Sequence, residues 1–126
     1  MLLLMLLVAT AADPRAVLAG TWKGESTCTP VRPACRDEIA VYHITLSPKK
    51  DEVTMMMNKV VNGQEVEMGG AVDYKVNDDA TSLLAEYAFK GNHLRWSFTR
   101  TGNDMRGTLV DVPSRAVIRN IRVRKQ

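Results

Sequence analysis

"SLLAEYAFKGNHLRWSFTR", residues 82–100, is the stretch that decides the fold class. In an extended chain Leu83, Ala85, Tyr87 and Phe89 share one face of the first arm. In the second arm Leu94, Trp96 and Phe98 alternate against His93, Arg95 and Thr99. A period of two in both arms, with Gly91–Asn92 between them, is the pattern of a β-hairpin.

The pattern continues in both directions. Downstream, "TGND" (101–104) leads to "MRGTLVDV" (105–112), and "PS" (113–114) to "RAVIRNIRVRK" (115–125). In this last run Val117, Ile121 and Val123 alternate with Ile118, Asn120, Arg122 and Arg124. Upstream, "EVEMGGAVDYKV" (65–76) sets Val66, Met68, Val72, Tyr74 and Val76 against Glu67, Asp73 and Lys75, and its Gly69–Gly70 pair predicts a bulge or bend. "NGQ" (62–64) joins it to "EVTMMMNKVV" (52–61) as a hairpin, and "SPKK" (47–50) turns the chain back to "DEIAVYHITL" (37–46), where Ala40, Tyr42, Ile44 and Leu46 share a face. "TWKGESTC" (21–28) is the first run, which makes eight strands with short connections and no amphipathic helix of useful length. Consecutive antiparallel strands with one apolar face remove their exposed edges by closing. The expectation is therefore an all-β chain with one eight-stranded antiparallel meander β-barrel over 13–126; an open two-sheet sandwich is the alternative.

The chain begins "MLLLMLLVATAADP", an apolar run followed by small residues, with Ala9 and Ala11 spaced for signal-peptidase cleavage. Residues 1–12 are read as a signal peptide or apolar leader, too short to span a bilayer. The expected location is periplasmic or extracellular; the alternative for this segment is a buried terminal helix or strand. Cys28 and Cys35, the only cysteines, bracket "TPVRPA" (29–34), and an even count in an exported chain predicts one disulfide. Closing so short a loop contributes roughly 2–3 kcal/mol and mainly stiffens the connection out of the first strand.

With 126 residues the chain holds one domain, and 17 basic against 14 acidic side chains give a net charge of only +3. Nucleic acid is not an expected partner on that balance. Arg115, Arg119, Arg122, Arg124 and Lys125 in the last run form either a contact for an anionic partner or a solvated strand face that discourages edge pairing. His43 and His93 lie on different strands without metal-ligand spacing, Asp78 and Asp79 sit in turn chemistry, and no nucleophile elbow or phosphate loop occurs. No catalytic residue, metal or cofactor is assigned.

"GTW" at Gly20 to Trp22, opening the first strand of such a meander, resembles the Gly-x-Trp signature of lipocalins and the wider calycins; "LAGTW" is equally similar to the opening strand of avidin-like barrels. The lipocalin resemblance implies that Gly20 allows a tight entry, that Trp22 plugs the closed end, and that an arginine of the last strand, Arg119 or Arg122, stacks on it. It also implies a short helical turn within "DPRAVLAG" capping that end, with Asp13 and Pro14 as its start signal. A plain core role for Trp22 is the alternative.

Tyr42, Met55, Met57, Met68, Tyr87, Trp96 and Phe98 are the expected lining of a ligand site, selected by alternation. Methionines adapt to varied apolar shapes, but a barrel this small is also readily filled by its own side chains, with the methionines as core. The leading expectation is an exported, non-enzymatic barrel that binds a small hydrophobic or amphipathic molecule. The alternative partner is a protein, as for a periplasmic hydrolase inhibitor, held through loops such as the Cys28–Cys35 segment.

Overall fold

The computed structural model describes residues 12–126, so the leader assigned to the first residues falls, but for Ala12, outside the described part. After a single 3-10 turn at Pro14–Val17, the chain forms β1 (Gly20–Cys28), β2 (Glu38–Leu46), β3 (Glu52–Val61), β4 (Gln64–Val66), β5 (Ala71–Val76), β6 (Ser82–Phe89), β7 (Asn92–Thr101), β8 (Asp104–Asp111) and β9 (Val117–Lys125). Each ring strand pairs antiparallel with its sequence neighbours, β1 also pairs with β9, and β2 with β3, so β1, β2, β3 and β5 to β9 close an eight-stranded barrel. The meander expected from alternation is thus the fold.

The fourth run is divided. Its first part, β4, pairs with β3 through Lys59–Val66 to Val61–Gln64, and its second, β5, pairs with β3 through Glu52–Lys75 to Met56–Ala71. Between them Gly69 and Gly70 adopt φ of +86° and +99°, a left-handed backbone that costs glycine little and lets one interrupted strand turn a corner.

One end of the barrel is closed from below. Asp13 caps the 3-10 turn by accepting from the Arg15 amide, and Arg15, itself buried, donates Nη1 to the carbonyls of Ser47 and Lys49 in the β2–β3 connection and of Glu52 at the start of β3. Trp22 stands on this floor, fully buried, with its indole N–H donating to the Leu18 carbonyl at 2.9 Å. Above it Tyr42, Tyr74, Met55, Leu83, Met105 and Phe98 fill the lower interior. Phe98 meets Tyr42 and Tyr74 edge to face and lies parallel to Trp96. Gly107 makes room for it: a Cβ there would stand 2.6 Å from both Phe98 Cε1 and the Ser97 carbonyl oxygen.

The other end carries the Cys28–Cys35 disulfide, formed as expected. Arg32, within that loop, reaches Asn92 and Asp111 at the ends of β7 and β8 and draws the loop across the rim.

Candidate functional site

Around the ring one seam differs from the rest. β5 and β6 pair only through Lys75–Leu84 and Val76–Leu83, whereas every other neighbouring pair runs through five or more residue pairs. Continuing the same register would set Asp73 directly opposite Glu86, and like charges in directly opposed positions destabilise a ladder. The next positions would be Val72 against Tyr87 and Ala71 against Ala88, after which Gly70 turns the chain away. The wall parts toward the disulfide-bearing end.

A cleft of about 750 Å³ occupies the parted seam, lined chiefly by Met57, Met68, Val72, Tyr87, Phe89 and Trp96. Its apolar character follows from the alternation of β6. Leu83 and Ala85 are buried on the inward face, but the next two residues of that face, Tyr87 and Phe89, are 38% and 62% exposed because no opposing strand covers them. Lys90 lies 5.3 Å from the Phe89 ring centroid at the tip. Asp73 and Glu86 mark the two outer rims. Thr54 donates to Asp73 at 2.8 Å, while Arg95, assisted by His93, holds the Glu86 carboxyl below its ordinary range.

Of the seven residues expected to line a ligand site, Met57, Met68, Tyr87 and Trp96 meet at this cleft. Tyr42, Met55 and Phe98 do not: they are buried in the packed interior beneath it. Burial, reinforced by the Glu38 carboxylate, raises the Tyr42 hydroxyl well above its usual pKa, and burial likewise raises Tyr74, so both phenols stay neutral. Tyr74 donates to the Met57 sulfur at 3.0 Å, which ties the packed interior to the base of the cleft. Phe89, Val72 and the flanking Ala85 and Ala88 complete the lining without having been assigned to it; the signal available was the continued alternation of β6.

The arginine partner expected for Trp22 requires correction. Arg119 pairs with Cys28, at the far end of β1, where it donates to Ser26 Oγ at 3.1 Å and Glu38 Oε1 at 3.2 Å. Arg122 is exposed on the outer face, opposite Glu25 and Arg106. The cation nearest the Trp22 ring is Lys125, 6.0 Å from its centroid, because the β1–β9 register sets these two residues opposite each other. Arg15, which sequence reading passed over, supplies the guanidinium at the closed end.

Both histidines have polar partners. His43 links Thr21 Oγ1 (3.0 Å from Nδ1) to Glu65 Oε2 (2.6 Å from Nε2), and Asn58 donates to the same carboxylate at 2.8 Å, fastening β4 to the wall. Asn58 and His43 together hold Glu65 below its usual range. Among the described residues no three His, Cys, Asp or Glu side chains gather as a metal site requires, and no helix is long and apolar enough to cross a membrane.

The chain shares the general shape of lipocalin-like and calycin barrels, a closed antiparallel ring of eight strands. No protein-family model matches it, and no curated protein does either.

Proposed function

We propose that the protein is a non-enzymatic, lipocalin-like barrel, exported from the cell, that holds a small hydrophobic or amphipathic molecule in the seam cleft between β5 and β6. The observation that carries this reading is the uncovered aromatic face of β6: Tyr87 and Phe89 continue the core face of Leu83 and Ala85 but lie open beside Trp96 and Met68. Covering them stabilises a bound apolar group by about 25 cal/mol per Å² removed from water. The volume falls in the range of small-molecule sites. Export is supported by the leader-like sequence and by a disulfide, which persists in oxidising compartments.

The test is titration with Nile red, a neutral apolar dye, followed by its own fluorescence and by quenching of Trp96. Saturable binding is expected, weakened at least roughly tenfold by Phe89→Ser with Trp96→Ala, the loss of about 1.4 kcal/mol or more that uncovering two rings implies. Binding unchanged in that double variant would place the dye elsewhere and remove the basis of the reading.

A second reading, a barrel that binds a protein through its rim, rests on the Cys28–Cys35 loop being fixed at its base and at its middle. The disulfide closes its base, and Arg32 pins its middle to Asn92 and Asp111. A loop so constrained loses little entropy on docking.

A further inference from the structure

We infer that the seam cleft accepts an extended polypeptide segment, and that apolar side chains flanking a lysine or arginine are the sequence it selects. The inference rests on the reading of the cleft as a ligand site and names the class of amphipathic molecule that fits it. Three features of the parted wall argue for a peptide strand.

The first is backbone. Among the described residues, Ala71–Asp73 of β5 and Glu86–Phe89 of β6 have no pairing across the seam, although both segments are extended and paired on their other sides. Strand edges in this condition are templates for strand addition, and closed barrels ordinarily have none. A compact apolar molecule covers the rings but offers nothing to the amides and carbonyls beside them. An extended peptide offers both, running antiparallel to one wall and parallel to the other.

The second feature is the alternation of the lining. Inward-facing positions along both edges are apolar, Val72 on one side and Tyr87 and Phe89 on the other, with Met68 and Trp96 behind. A strand presents alternate side chains to one face, so every second residue of the incoming segment enters this apolar space.

The third feature is charge. Asp73 and Glu86 stand on the outer face at positions that the β5–β6 register makes opposite, and Asp73 has no cationic partner among the described residues. Closing the seam edge to edge would set Asp73 against a Glu86 already paired with Arg95, and would give Asp73 no cation. A strand between them puts its outward side chain beside Asp73, the carboxylate left without a cation, where a lysine or arginine is attracted and a glutamate is repelled; Glu86 is already held by Arg95. The carboxylate without a cation thereby chooses the occupant.

The experiment is amide hydrogen exchange on the full-length mature protein with a pool of blocked hexapeptides alternating valine, tyrosine or leucine with lysine. Matched pools carry glutamate in place of lysine, or N-methyl groups on alternate amides. The lysine pool is expected to slow exchange by roughly tenfold or more at those amides of residues 71–73 and 86–89 that point into the seam, and both matched pools to leave it unchanged. Asp73→Lys, which supplies the cation from the wall itself, is expected to zip the seam, protecting the same amides without peptide and abolishing the peptide effect.

No protection by any lysine peptide, or equal protection by the N-methylated pool, would overturn the inference. Nile red separates its failure from that of the underlying reading. Dye bound with no peptide protection leaves the cleft a small-molecule site and rejects the strand, and binding of neither rejects both. Peptide protection without dye binding supports the strand as the occupant.

Discussion

Replacing Trp22 by alanine tests the closed end of the barrel, and its cost follows from two separable contributions. The ring is fully buried between the 3-10 turn and the packed interior, so its removal leaves a cavity, which for tryptophan costs about 3–5 kcal/mol. The indole N–H is also the donor to the Leu18 carbonyl, and a buried acceptor left without a donor adds about 1 kcal/mol. Trp22→Ala should therefore lower stability by about 4–6 kcal/mol in urea denaturation, a loss of roughly 15–25 °C in Tm for a domain of this size. Trp22→Phe keeps most of the buried area and loses the donor, so its cost should be about 1–2 kcal/mol. The Lys125 ammonium adds little to either difference, since it also donates to the Val17 carbonyl and stands at the outer limit of cation–π range. Nile red affinity measured well below the melting transition should be unchanged in both variants, because the cleft lies toward the other end. A loss below about 1.5 kcal/mol for Trp22→Ala would refute the floor assignment, since collapse around so large a void would require an interior far looser than the one described.

Gly107→Ala should cost about 1–3 kcal/mol, because the new methyl overlaps Phe98, which Tyr42, Tyr74 and Trp96 hold in place; a neutral result in thermal denaturation would mean that this ring moves freely. Acid should destabilise the fold. Asp13, Asp51, Glu65, Asp79, Glu86 and Asp111 all have lowered folded-state pKa values, with side-chain hydrogen bonds the first cause: Arg15 for Asp13, Lys75 for Asp51, Asn58 for Glu65, Thr81 for Asp79, Arg95 for Glu86 and Ser114 for Asp111. The unfolded chain then binds more protons, so their contribution is complete above the ordinary carboxylate range near pH 4 and is lost as pH falls through the lower folded values. Urea midpoints that stayed constant or rose from about pH 5 to pH 3 would contradict this.

The hairpin at residues 82–100 shows what made the barrel legible and where legibility stopped. Alternation told correctly which face of β6 and β7 turns inward, and the β6–β7 register runs from Ser82–Thr99 to Phe89–Asn92 as a two-armed pattern requires. The Gly69–Gly70 corner was readable from chemistry local to a few residues, whereas the disulfide followed from the even cysteine count and the turn at Pro14 from the lipocalin resemblance together with its Asp13–Pro14 start signal. Facing inward is not the same as lining a cavity, however. Tyr42, Met55 and Phe98 share the face of Met57, Tyr87 and Trp96 within the ring, yet the first three are sealed, and the difference is height along the barrel and nearness to the parted seam. Height depends on register between strands. The same dependence misdirected the expected arginine: three or six residues along β9 separate Arg122 and Arg119 from the position that faces Trp22, and that position holds Lys125.

The seam itself joins these two kinds of information. Asp73 and Glu86 are unremarkable as single residues on outward strand positions, and their opposition exists only once Lys75 is paired with Leu84. From that pairing upward the ladder would have to bring two carboxylates together, then meet the turn at Gly69 and Gly70, and it stops. The apolar face of β6 is written as though the ladder continued, which leaves Tyr87 and Phe89 uncovered. On the reading proposed above, this uncovered face is what an occupant covers, with apolar groups inward against Tyr87 and Phe89 and a positive charge outward beside Asp73.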